Sequence, residues 1–182
     1  MQIIKTAIND VKIVEPKVFG DERGYFMESF RDNWFRKHCA DVQFVQDNRS
    51  RSKQGILRGL HYQLEQTQGK LVSVTEGEVF DVAVDMRKSS QTYGKWVGVH
   101  LTAENKHMLW VPEGFAHGFY VISEFAEFSY KCTDYYHPAS EVSLAWNDPS
   151  VNIAWPLVNG IAPSLSAKDQ EGYAFADAPF FL

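Results

Sequence analysis

Short runs of Val, Ile, Phe, Tyr and Trp recur along the whole chain, and each is cut off within a few residues by Gly, Pro, Asn or Asp. Branched and aromatic side chains fit the pleated, half-buried surface of a sheet, and the turn residues permit sharp reversals. This punctuation predicts an all-β sandwich or barrel. The expected strands are Val11 to Pro16, Tyr25 to Phe30, Gln43 to Arg49, Ile56 to Gln63, Leu71 to Thr75 and Val79 to Met86. They continue with Lys95 to Leu101, His107 to Val111, Ala116 to Ile122, Ala126 to Thr133 and Val142 to Trp146. One helix is expected from Asp32, read as its cap, to Cys39, with Trp34, Phe35 and His38 on one side. A second helical turn is expected from Ser166. So many strands with so few helices make a double-sheet jelly roll the leading architecture. No low-complexity linker or internal repeat interrupts the chain, so residues 1–182 are expected to form one domain with short terminal extensions.

Charge and cysteine usage narrow the function classes. A formal charge of −5 argues against nucleic-acid binding, although the cluster Arg49-Ser50-Arg51-Ser52-Lys53 is suited to a small anion. Cys39 and Cys132 lack CxxC spacing, so neither a disulfide framework nor a zinc site is indicated. Met1 to Lys5 lacks the apolar stretch of a signal peptide, and no run reaches membrane-spanning length. A reducing cytoplasm is the expected compartment, with no membrane partner. The aromatic content of 14% fits a site that stacks a nucleotide base, and fits a large aromatic core equally well.

Two segments carry the candidate chemistry. Gly55 to Gln63, with His61, and Pro112 to His117 together resemble the two halves of the cupin signature. A cupin metal site needs several N and O ligands converging on one ion. Here Gln63 stands where a second histidine is needed, and no Glu follows at the expected distance, so the ligand set is broken. His61 is then either an acid–base group freed from a metal or a histidine hydrogen-bonded within its strand. In a regular strand Gly59, His61 and Gln63 share one face, with Arg58 and Leu60 on the other. Gln46 with Asn48, and Phe128 with Tyr130 and Cys132, also share faces, which suits a lined pocket or ordinary cross-strand bonding. Arg23, Arg58 and Lys70 sit beside glycines and are suited to oxyanions and phosphates. No P-loop or GxGxxG is present.

Across essentially its full length the chain resembles the dTDP-4-dehydrorhamnose 3,5-epimerases. The resemblance rests on Phe19 to Phe26 (FGDERGYF), Gln46-Asp-Asn48, Leu57 to Gln63 (LRGLHYQ), Gly69-Lys70 and Gly77 to Asp85. It continues through Val111 to Gly118 (VPEGFAHG), Tyr130 to Tyr136 (YKCTDYY) and Ser166 to Asp169. The resemblance implies a cupin-like jelly roll that works as a homodimer with strands exchanged between subunits, without metal or cofactor. It implies that His61 is the general base, oriented by Asp169, that Lys70 faces the C4 oxygen, and that Tyr130 is the acid on the opposite side. Arg23, Gln46, Asn48, Arg58 and Lys168 would hold the nucleotide or its phosphates, and Glu28 and Glu141 would add to substrate binding. Phe19 and Tyr136 would pack on thymine, and His117 would be a second pocket histidine paired with Asp81. The implied substrate is dTDP-4-keto-6-deoxy-D-glucose.

That cast suits the reaction. A proton beside a ketone yields to imidazole only when the developing enolate is stabilised, and inversion needs a donor on the face opposite the base. Three rivals make different demands. An epimerase restricted to C3 or C5, or a ketoisomerase, differs in product stereochemistry. A metal cupin would bind iron or manganese. A non-catalytic nucleotide-sugar module would bind ligand with His61, Lys70 and Tyr130 dispensable.

Overall fold

The structure, a computed structural model, describes residues 1–182. Its strands are β1 (Gln2–Lys5), β2 (Lys12–Glu15), β3 (Val18–Asp21), β4 (Gly24–Met27), β5 (Gln46–Lys53), β6 (Leu57–Gln63) and β7 (Lys70–Glu76). They continue with β8 (Glu78–Asp85), β9 (Trp96–Thr102), β10 (Met108–Val111), β11 (Phe115–Val121), β12 (Phe125–Cys132) and β13 (Glu141–Ser143). Two helices are present, α1 (Asp32–His38) and α2 (Ala167–Gln170). A six-stranded sheet runs β1-β2-β10-β7-β12-β5, and a five-stranded sheet runs β13-β6-β11-β8-β9. The hairpin β3–β4 stands apart as a two-stranded ribbon. Two antiparallel sheets with long crossovers make the jelly roll that the strand pattern predicts. No helix is long and apolar enough to cross a membrane.

Alternation along each strand divides the molecule. Val72, Val74, Leu109, Val111 and Phe128 of the first sheet meet Val79, Val97, Leu101, Phe115 and Phe119 of the second in the central core. One end of this inner layer is polar, since Gln46, Asn48, Lys70 and Tyr130 point inward where the two sheets splay into a cleft. Outside the six-stranded sheet, Phe35 of α1 and Cys39 just after it cover Leu71, Met108 and Trp110. Outside the five-stranded sheet, the C-terminal residues Val151, Phe175 and Phe181 cover Leu60, Tyr62, Phe80 and Val82. The cleft is thereby clamped between two packed layers.

Several local expectations change. Helix α1 begins at Asp32 with Arg31 flanking it and no side-chain cap, so Asp32 is not the cap but an anion in the first turn, favourably placed for the helix dipole. At α2 the expected helical turn is present, and Ser166 caps it, its Oγ accepting from the Asp169 amide at 3.2 Å. The strand expected over Gln43 to Arg49 instead runs Gln46–Lys53, through the basic cluster. Alternation there sends Ser50 and Ser52 inward and leaves Arg51 outside, where it pairs with Glu76 at 3.1 Å. The cluster therefore does not converge on an anion. Strands β1 and β3 were not expected, because four-residue edge segments are too short to show a periodicity.

Candidate active site

An open cleft of about 590 Å³ lies between the sheets. Strand β6 brings His61 to it, and α2, which follows the long C-terminal crossing, brings Asp169 against the same ring. His61 Nε2 meets Asp169 Oδ1 at 2.5 Å. Asp169 is buried, at 4% exposure. Burial pushes its pKa up, but hydrogen bonds from His61, Ser166 and the Gly59 backbone outweigh it and hold the carboxyl below its ordinary value. An ionised Asp169 accepts a hydrogen bond from the Nε2–H, which leaves the Nδ1 lone pair as the basic site. That atom faces Glu141 Oε1 at 3.9 Å, too far for a hydrogen bond.

Lys70 and Tyr130 lie on the opposite wall, on paired strands β7 and β12. Removal from water lowers the Lys70 pKa, and the neighbouring Cys132, Glu141 and Asp81 act to raise it. Burial raises the Tyr130 phenol to about 12, so at neutral pH it is a protonated donor. A base with its carboxylate, a desolvated cation and a neutral phenol thus line one space.

His117 forms a second, deeper pair. Its Nε2 lies 3.0 Å from both Asp81 oxygens, and Asp81 is fully buried. Burial raises the Asp81 pKa, and His117 and Lys70 oppose that shift. At the rim, Glu141 Oε2 accepts from Lys168 Nζ at 2.8 Å and from the Tyr136 hydroxyl at 2.9 Å. Burial pushes Glu141 up, yet these bonds and His61 leave its pKa below the ordinary value.

Arg58 also reaches the cleft, contrary to the parity of a regular strand. Against β11 the partners are His61 with His117 and Arg58 with Phe119, so three steps on β6 match two on β11. This bulge turns Arg58 to the side of His61, where its Nε donates to Ser52 Oγ at 3.0 Å. Gly59 sits within it at φ +113°, and a Cβ there would fall 2.6 Å from the His117 carbonyl oxygen.

The cleft therefore gathers His61, Asp169, Lys70, Tyr130, Gln46, Asn48, Arg58, His117, Tyr136, Glu141 and Lys168. It does not gather Phe19, Arg23 or Glu28. Phe19 and Arg23 line a shallow surface of the β3–β4 hairpin, with Arg23 paired to Asp21, and Glu28 pairs with Arg31 at 2.6 Å. Phe19 accordingly does not face Tyr136 within one chain. Ser50, which lines the cleft, and Ser52, which holds Arg58 there, escaped sequence reasoning. Ser50 and Ser52 continue the inward parity of Gln46 and Asn48, a signal that the charged neighbours hid. Gln63 was read as a missing metal ligand and as a neighbour of His61 on one strand face, and it is buried, outside the residues that line the cleft.

Comparison with known proteins identifies the family. The family profile described as dTDP-4-dehydrorhamnose 3,5-epimerase matches residues 5–177. An enzyme of that name from Pseudomonas aeruginosa is 57% identical over 182 residues, covering 100% of this chain and 99% of its own. Another from Neisseria gonorrhoeae is 60% identical over 178 residues, which are 98% of this chain but 54% of that relative, so this chain spans about half its length. The crystal structure of a dTDP-6-deoxy-D-glucose-3,5-epimerase from Legionella pneumophila in complex with dTDP-4-keto-L-rhamnose superposes with a TM-score of 0.94. It is 56% identical, over 98% of this chain and 94% of that one. The chain belongs to the dTDP-4-dehydrorhamnose 3,5-epimerase family.

Proposed function

We propose that the protein inverts C3 and C5 of dTDP-4-keto-6-deoxy-D-glucose, giving dTDP-4-keto-L-rhamnose for rhamnose biosynthesis, with His61 as base and Tyr130 as acid. The observation that carries these roles is the placement of the His61–Asp169 pair, Lys70 and Tyr130 around one cleft. His61 Nδ1 takes the proton from the carbon beside the C4 ketone, and the electron pair moves onto the C4 oxygen. Lys70 meets that oxyanion, an interaction typically worth about 3–4 kcal/mol of barrier in a water-poor site. Tyr130 then returns a proton to the other face of the carbon. Each step is a proton transfer and calls for no redox cofactor. The second centre repeats the sequence once solvent has reset both groups.

Arg58 and Lys168 fit the diphosphate, Gln46 and Asn48 the nucleotide, and His117 and Glu141 the sugar. Tyr136 at the mouth is the ring for thymine. We further propose one jelly-roll domain in a cytoplasmic homodimer, in which the hairpin residues Phe19, Arg23 and Glu28 complete the partner's cleft. Their separation from Tyr136 within one chain supports that assignment. Turnover of dTDP-4-keto-6-deoxy-D-glucose in deuterated water tests the reaction. The expected product has the L-rhamno configuration with deuterium at C3 and C5. Label and inversion at one carbon alone would identify a restricted epimerase instead.

A further inference from the structure

Gln63 occupies the place of a metal ligand in a cupin barrel, yet its side chain is fully engaged elsewhere. It is 4% exposed and ends β6 beside Glu141, its partner on β13. Its Nε2 donates to the Gln66 carbonyl at 2.7 Å and the Tyr135 carbonyl at 3.2 Å. Its Oε1 accepts from the His137 amide at 2.9 Å. From the other sheet, Gln46 Oε1 accepts from the Tyr136 amide at 3.0 Å. Three successive backbone groups around Tyr136 are thus held by two glutamine side chains, one from each sheet. Tyr136 itself is 52% exposed and has little packing to fix it. Its ring position is set through the backbone and through the hydroxyl bond to Glu141.

We propose that Gln63 is a positioning residue for nucleotide binding, clamping the 134–137 segment so that the Tyr136 ring stands preformed over the cleft mouth. An amide suits this task because it donates twice and accepts at once, matching two carbonyls and one N–H. Histidine, with one donor and one acceptor when neutral, cannot satisfy all three. The barrel position that serves a metal in other cupins here serves ligand affinity instead. The proposal rests on the reading of Tyr136 as the ring that meets the base.

The test uses the full-length protein carrying Gln63→Met, which keeps the side chain's length and volume and removes its hydrogen bonds. Amide hydrogen exchange across residues 134–138 is expected to accelerate by about tenfold or more, while that of β8 and β11 stays as in the unsubstituted protein. The Kd for dTDP and the KM for the sugar nucleotide should each rise about tenfold, with kcat at saturation reduced by less than about threefold. Unaltered exchange and unaltered dTDP affinity would overturn the proposal, as would a loss confined to kcat. If Gln63→Met does not fold, Gln63→Glu keeps the acceptor toward His137 but lacks both donors. It should still weaken dTDP, and an unaltered Kd there would count equally against the clamp. Failure of the unsubstituted protein to bind dTDP would overturn the nucleotide-sugar reading, while the exchange arm still decides whether Gln63 holds the segment.

Discussion

Two groups of the opposite wall of the cleft, Lys70 and Tyr130, are moved in opposite directions by the same burial. Desolvation disfavours the charged form of each, which lowers the ammonium's pKa and raises the phenol's to about 12. Lys70 must be protonated to meet an oxyanion, and Tyr130 must be protonated to act as a donor. As pH rises, Lys70 therefore loses its proton first, at a pH below the reference lysine value, and activity falls with it. The alkaline limb of kcat/KM is expected below about 10.4, with Tyr130 still protonated through that limb. A limb at or above that value would mean that Lys70 does not carry the oxyanion. Asp169 is the complementary case, because its bonds keep it ionised where an isolated buried carboxyl would not be. Asp169→Asn should lower kcat by about 10²-fold or more, since the amide no longer draws the Nε2 proton and no longer stabilises the imidazolium. A loss under threefold would remove Asp169 from the base.

At the level of elements, the bulge in β6 decides which side chains share the cleft. Gly59→Ala places a methyl against the His117 carbonyl and forces a side chain into positive φ. It should destabilise the fold by more than about 2 kcal/mol in denaturant unfolding and weaken dTDP by withdrawing Arg58. A variant of unaltered stability would show that the bulge relaxes freely. The contrast between His61 and Arg58 also marks how far sequence reading reached. The strand holding His61 was legible from its apolar alternation, and α2 from Ser166 ahead of Ala167–Gln170. Strict parity placed Arg58 on the opposite face, and only the neighbouring glycine hinted that the register breaks there. The approach of Asp169 to His61 was outside the reach of periodicity altogether, because 108 residues separate them. It followed from family resemblance. Gln63 was hidden for another reason, since its partners are backbone groups of two loops that have no sequence signature.

Across the whole molecule, the β3–β4 hairpin is the part that a single chain leaves unexplained. Phe19, Tyr25 and Phe26 are 55%, 62% and 70% exposed, a cluster that the proposed homodimer would cover. If each hairpin completes the partner's cleft, Arg23→Ala and His61→Ala fail on different chains and can complement. Mixed dimers should regain about a quarter of native activity, because half the molecules are heterodimers and each has one intact site. No recovery on mixing and refolding would place Arg23 in its own chain's site or in none. The division of labour between His61 and Tyr130 is tested most directly by following solvent deuterium into the substrate with each variant. His61→Ala should abolish exchange at C3 and C5 together with product formation, because no enolate forms. Tyr130→Phe should leave exchange running while formation of the inverted sugar falls by about 10²–10⁴-fold at the carbon where the phenol is donor. Near-normal exchange at both carbons in His61→Ala would contradict the assignment of the base and direct attention to His117.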